Sequence, residues 1–318
     1  MTSNAVTADL ALEAPPDRSP GGGGLRALLP RRPGKLLVGL SISAVIVVFA
    51  VVGPLLADDP LRIRDIGFTP PGAEFWLGTN QKGQDIFAQV ALATGNSLIV
   101  GVLVGLLTLL LSALFGIVGT FLGGVVDEAF SLLSNIMLVI PGLPLLMILA
   151  GYIEERGILV IAIVLAITGW AGSARVLRAI TLSVRSRDYV AASRVSGERT
   201  WRIVAVEILP NLLPILASQF IFGVIAAILA EAGLSYLGLG VVDDYTLGRI
   251  LNEAQMGGAL RAGAWWWFIP PGLIIAALGA ALSLINFALD EVVNPKLRVQ
   301  PVHKTGRTRT RRQAVSVS

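Results

Sequence analysis

The chain has no cysteine and a single histidine, His303, which stands in the polar C-terminal stretch. Disulfides, thiol nucleophiles and Cys/His metal centres are excluded on that ground, and neither a metal nor a resident cofactor is expected. Charge is scarce too: 14% of the 318 residues are Asp, Glu, Lys or Arg, against 54% hydrophobic, and the mean hydropathy is +0.75. A soluble chain carries about a quarter charged residues, so this shortage moves the protein into a bilayer. No segment fits G-x-x-x-x-G-K-[ST]; the nearest string, Gly34-Lys35-Leu36, lacks the upstream glycine and the hydroxyl. If ATP energy drives this protein, another chain must bind the nucleotide.

The charge that is present leans basic, with a net +4 and a pI near 9.8. In a soluble protein this would point to nucleic acid. Here the Lys and Arg residues flank long apolar runs, so their partner is membrane lipid and the membrane potential, with no nucleic acid implied.

Six apolar spans predict an all-α polytopic membrane protein. Residues 1–35, with Pro15-Pro16 and the run Gly21 to Gly24, read as a flexible tail that cannot bury enough surface to order itself. Leu36 to Ala57 makes a helix roughly 33 Å long, enough to cross the hydrocarbon, and lies too far from the N-terminus for a signal peptide. Residues 58–95 form a polar extramembrane loop ending in a short amphipathic helix. Ser97 to Leu122 is the second span, with Gly101/Gly105 and Gly119/Gly123 as small faces for close helix approach. A very short turn near Val125 to Asp127 precedes the third span, Ala129 to Ile153, which Pro141-Gly-Leu-Pro144 should kink; the freed carbonyls then place it inside a bundle. Ile158 to Ala179 and Ile215 to Leu239 are the fourth and fifth spans. Val241 to Gly263 is a second polar connection, and Trp265-Trp-Trp267 sits as an interfacial belt before the sixth span, Phe268 to Leu289. The core is therefore 96–290, followed by a basic tail, 291–318.

Basic residues orient the chain. One side holds Arg62, Arg64, Lys82, Arg156, Arg249 and Arg261; the other holds the remaining 19 of 25, including both tails and the 185–212 loop. Both termini and that loop are expected in the cytoplasm.

The loop itself carries the densest signal. Ala191, Ala192 and Ser193 give a short helix a bare face that lets its backbone sink into a groove, and Gly197 can take the left-handed conformation that ends it. Glu198 to Leu209 reads as a second helix with Trp201, Val204, Ile208 and Leu209 on one stripe, stopped by Pro210. Arg185, Arg187, Arg194, Arg199 and Arg202 could pair with acids on a partner. The residues fit a docking element for another protein, or an amphipathic loop resting on anionic headgroups.

A resemblance separates the two. Asp188-Tyr-Val-Ala-Ala-Ser-Arg-Val-Ser-Gly197 with Ile208-Leu-Pro-Asn211 resembles the cytoplasmic coupling ("EAA") loop of bacterial ABC importer permeases. Trp76-Leu-Gly-Thr-Asn-Gln-Lys-Gly-Gln-Asp85, Thr168-Gly-Trp-Ala-Gly-Ser-Ala-Arg175 with Arg178, Leu229-Ala-Glu-Ala-Gly-Leu-Ser-Tyr-Leu-Gly-Leu-Gly240 and Asn294-Pro-Lys-Leu-Arg298 are similar to further strings of the C-type permeases of the dipeptide/oligopeptide/nickel importers. The resemblance implies a five-helix importer core plus one peripheral N-terminal helix in the bacterial inner membrane. It also implies a homologous second permease, two ABC ATPase subunits and an extracytoplasmic substrate-binding protein. Coupling falls to Tyr189, Ala191, Ala192, Ser193, Gly197, Trp201, Leu209 and Pro210, and the chain itself holds no catalytic residue. The family's acid in the docking helix is Ala191 here, its His before I-L-P is Glu207, and the Arg of G-R-D is Gln84. Oligopeptides are the first cargo implied; short oligosaccharides, suggested by Gly263 to Gly272 and Ile285 to Glu291, and nickel are alternatives.

Three polar residues inside spans are pathway candidates. Glu231 either faces the pathway or, as its late position in the helix favours, caps the turn before Gly238 or pairs with an Arg. Asn135 and Asn286 either line the pathway or tie helices together. An ion-coupled transporter would want several buried carboxylates and an internal repeat, and neither is seen; a membrane scaffold would need no ATPase.

Overall fold

The structure, a computed structural model, describes residues 33–293. The two expected tails and the Asn294 to Arg298 string therefore lie outside the described residues, apart from Pro33 to Lys35 and Glu291 to Val293. Helix α1 is Pro33–Leu56, α2 Ile86–Leu122, α3 Gly124–Val139, α4 Gly142–Gly151 and α5 Ile158–Arg185. Then come the short α6, Asp188–Val195, the long α7, Thr200–Tyr236, α8, Leu247–Met256, and α9, Trp265–Val293. Five helices are long and apolar enough to cross a membrane, and α3 with α4 makes a sixth crossing if counted as one bent span. The all-α polytopic architecture read from hydropathy is the one observed.

Helices α2, α5, α7 and α9 form the body, and α1 lies against α9 and α2 with most of its surface uncovered, which is the peripheral position expected of it. The Gly101/Gly105 face of α2 is used, whereas Gly123 of the second expected face lies in the turn after the helix. A Cβ at Gly101 would meet Ile228 Cγ1 at 2.6 Å and one at Gly105 would meet Val224 Cγ2 at 2.7 Å, so α2 and α7 cross at backbone distance. Residues 57–85 and 237–264 gather at one end of the bundle, hereafter the loop-rich end; α6 turns the chain at the opposite, corner end.

Several boundaries differ from expectation for local reasons. The 58–95 loop ends at Asp85, whose carboxylate accepts the Phe87 N–H at 2.9 Å and starts α2 ten residues early. The polar Gln89 and Thr94 of this first part of α2 are buried and bonded, Gln89 Nε2 to Pro60 O at 3.2 Å and Thr94 Oγ1 to Val90 O at 2.6 Å. The turn placed at Val125 to Asp127 is instead Gly123-Gly124, with φ of 72° and 57°, and Val125 to Asp127 are already helical. Pro141 does not kink a continuous helix. It holds Ile140 extended, as a following proline does, and is extended itself, so α3 and α4 meet at 89°. Nor is this segment enclosed by its own chain: only Ser134, Leu146 and Ala150 are buried along it, because the body covers one side and supplies no helix for the other. The 241–263 connection contains α8, whose Leu247, Ile250 and Ala254 face is buried.

Candidate functional site

The corner is built around one side chain. Arg187 is extended and Asp188 opens α6; along α6 only Val190 is buried, at 0% exposure, packed with Ile117, Leu177, Ile203, Ile208 and Leu212. The helix has this one buried side chain; its others are exposed or half-buried. Its end is a Schellman motif: Glu198 N–H donates to Ser193 O and Gly197 N–H to Arg194 O, both at 3.1 Å, with Gly197 at φ 75°. The left-handed glycine anticipated from the sequence is where it was placed.

Tyr189, Ala191, Ala192, Gly197 and Trp201 are exposed and Ser193 half-buried, with Val195 between them at 90% exposure and Trp201 at 64%. A Cβ on Gly197 would touch nothing within 4 Å. The face is open, small and partly apolar, whereas a water-facing loop without a partner would have little use for Val195 and Trp201.

The second corner helix needs correction. Pro210 does not stop it; α7 runs unbroken to Tyr236. Residues Ile203–Ile208 form a π turn, whose wider winding leaves room for the proline ring two residues later. Asn211 Nδ2 donates to Glu207 O at 2.6 Å, giving a carbonyl of this disturbed turn a partner. The extra residue also shifts the register. Of the expected stripe, Ile208 is buried and Val204 partly buried, beside Ile203 and Leu212, while Trp201 and Leu209 are exposed together with Pro210. Three of the five arginines offered to a partner are engaged within the chain. Arg185 donates to Thr120 O at 2.8 Å, Arg194 lies 4.7 Å from the Phe121 ring centroid, and Arg202 pairs with Glu198.

Above the corner, α2, α4, α5, α7 and α9 enclose a cavity of about 520 Å³. Its wall is mostly small or apolar, with Gly169, Gly172, Gly223 and Ala227 among the lining residues, and its polar groups are Thr108, Thr168, Ser173, Ser218, Gln219, Asn286 and Asp290. Of the three pathway candidates, Asn286 alone lies here. Asn135 accepts a hydrogen bond from Arg175 Nη2 at 2.7 Å, beside the two-point pair of Arg178 with Asp127 at 2.7 and 2.9 Å; these ties join α3 to α5. Glu231 is 1% exposed and lines none of the cavity. Its Oε1 accepts from Ser235 Oγ at 2.5 Å, its Oε2 has no partner and no Arg reaches it; Gly238 N–H is taken by Ser235 O. The expected cap or ion pair is replaced by a buried link across which Ser235 meets Thr246 at 3.3 Å, the residue that caps α8. Ser218 and Asp290 escaped sequence reading. The signal for the latter was present, since Asn286 and Asp290 stand four apart on one helix face.

The corner and the cavity both lie largely within residues 109–299, which match the family model described as "Binding-protein-dependent transport system inner membrane component". Curated relatives cover more of the chain. The dipeptide transport system permease protein DppC of Bacillus subtilis (strain 168) is 33% identical over 267 residues, 82% of this chain and 82% of that protein. The oligopeptide transport system permease protein OppC of the same organism is 31% identical over 276 residues, covering 86% and 89%. OppC of Mycobacterium tuberculosis (strain ATCC 25618 / H37Rv) is 31% identical over 268 residues, covering 81% and 90%.

Proposed function

Because this chain belongs to the family of binding-protein-dependent transport system inner membrane components, we propose that it is one permease half of an ATP-driven importer of oligopeptides, with α6 as the element that ATPase subunits move. The observation that carries this reading is the exposed, Schellman-ended α6, anchored in the core by Val190 and otherwise touching the body through Arg194 on the Phe121 ring and Tyr189 Oη, which accepts from Asn211 Nδ2 at 3.3 Å. A helix held at so few points and otherwise bare can be pushed as a unit by a partner seated on it.

The corner occupies the cytoplasmic side and the loop-rich end faces outward, as the distribution of Lys and Arg favours. Two ATPase chains dock at the corners of this chain and of a homologous permease, and a substrate-binding protein docks on the loop-rich surface. ATP binding closes the ATPases, their motion passes through α6 and Val190 into the ends of α2, α5 and α7, and the pair of permeases repacks between inward- and outward-facing states. The 520 Å³ cavity is half of the pathway. The uncovered flank of α3 and α4 is the side from which the second permease completes it. Hydrolysis belongs to the partners, and this chain contributes no catalytic group. Peptides lead the possible cargoes because the relatives above are named for dipeptide and oligopeptide transport; short oligosaccharides remain the second reading.

Affinity purification from native membranes in mild detergent tests the assembly. Co-purification of a homologous permease and Walker-motif ATPases with ATP hydrolysis in the eluate is expected. Recovery of the chain alone, without hydrolysis, would return the ion-coupled transporter or scaffold readings.

A further inference from the structure

The cavity wall is almost uncharged. Among its lining residues Asp290 is the one carboxylate, and no Lys or Arg lines it. Asp290 is half-buried near the corner end of α9 and is held in place: Ser218 Oγ, on α7, lies 2.5 Å from Asp290 Oδ1 and 2.7 Å from Asn286 Oδ1. Ser218 has one proton to donate, so one of these two acceptors keeps unfilled capacity towards the cavity. Asn286 Oδ1 and both carboxylate oxygens are acceptors, and they converge from one turn of α9. Among the described residues no cation pairs with Asp290. A lone negative charge on a low-dielectric wall attracts positive solutes more strongly than the same charge in water.

We propose that Ser218, Asn286 and Asp290 form an ammonium-binding station on the pathway wall, which receives the lysine side chain of a passing peptide. This rests on the importer reading above and gives its cargo a chemical preference, for cationic over neutral oligomers. The acceptor set suits an ammonium, which offers three donors and no acceptor. Apolar and small residues along the rest of the wall give the peptide backbone little to hold, so binding is concentrated at one point and remains brief enough for release.

The test uses the complete transporter, purified with its native partners and reconstituted in proteoliposomes, with Ala-Lys-Ala and Ala-Gln-Ala as probes. Any preference of the binding protein is common to wild type and variant, so the change in the Lys:Gln uptake ratio isolates the station. Asp290→Asn is expected to lower that ratio about tenfold, the value of one charge-assisted hydrogen bond, and Asp290→Glu to preserve it within about twofold. Ser218→Ala, which keeps the charge and removes its tether, shifts the ratio the same way by a smaller factor, and it carries the test if Asp290→Asn fails to assemble. Equal loss of both peptides, or no change, overturns the station while leaving a peptide importer; a lipid ammonium seated at Asp290 would give that result. Uptake of maltotriose and of neither peptide by the wild type overturns the station and the peptide reading together.

Discussion

At the loop-rich end, Gly83 and Gly248 lie against backbone: a Cβ on Gly83 would fall 2.1 Å from Arg64 O, and one on Gly248 2.6 Å from Ala232 Cα. At the corner end, Gly124 and Gly197 have nothing within 4 Å of where a Cβ would sit. Polar groups follow the same division. Around residues 58–97 and 235–266, buried and half-buried side chains bridge elements far apart in sequence: Asn96 Nδ2 to Tyr245 O at 2.8 Å, Leu247 N–H to Ser97 Oγ at 3.0 Å, Trp266 Nε1 to Thr79 O at 3.2 Å. The corner has its apolar pin at Val190, two π turns, Leu114–Gly119 in α2 and Ile203–Ile208 in α7, both packed around that pin, and part-buried ties from Arg178 to Asp127 and from Arg185 to Thr120 O. One end is cross-linked through its loops and the other is articulated around π turns. A lever needs both, since motion applied at α6 reaches the cavity only if the far ends of the helices hold still.

Substitutions that damage one end and spare the other sharpen this contrast. The largest effect is expected from Gly83→Val, where a side chain has neither room nor an allowed φ, at 69°; the chain should fail to accumulate in membranes, and normal accumulation would deny the loop-rich end its rigid role. Gly197→Trp puts bulk into open space at the cost of about 1–2 kcal/mol of backbone strain. It should leave the chain in the membrane but reduce ATP-dependent uptake at least tenfold through lost ATPase seating. Wild-type uptake with this variant would break the docking account. A smaller effect is expected from Asp127→Ala, which leaves Arg178 without its two-point partner between α3 and α5. The pair is partly exposed, so about 1–2 kcal/mol is lost, visible as a fall of a few degrees in the melting temperature of the detergent-purified chain.

The articulated end was the more legible in sequence. Its elements are local: a helix, a glycine and its Schellman bonds lie within residues 188–198, and each residue type announces its role. The cross-linked end reads as a polar loop, because its bonds join distant positions, Gln84 to Leu61 and Gln89 to Pro60, 23 and 29 residues apart, and Leu247 to Ser97, 150 apart, which periodicity does not register. Gln84 illustrates this. Read as a departure from an arginine, it accepts from Asn80 Nδ2 at 2.8 Å and Gln89 Nε2 at 3.1 Å and donates to Leu61 O at 3.1 Å, a neutral knot that an unpaired charge would disrupt. Pro210 misled for another reason. Proline ends an α-helix, but a π turn just before it lets the helix continue, and no residue pattern in Ile203–Ile208 signals that turn. Within the cavity, Asn286 stands out as a polar residue in an apolar span, while Asp290, just past the apolar run that ends at Leu289, does not.

The absence of cysteine gives the central claim a direct test. Val195→Cys places a single thiol on α6 at a position that is 90% exposed, and Tyr152→Cys places one at the loop-rich end, 87% exposed. In native membranes, a short bifunctional thiol reagent is predicted to join Val195→Cys to an ATP-binding chain, with a yield that changes when ATP is added, and to leave Tyr152→Cys unjoined to that chain. If Val195→Cys instead reacts with an impermeant reagent added from outside and captures no ATP-binding chain, α6 is not the coupling element and the orientation is reversed.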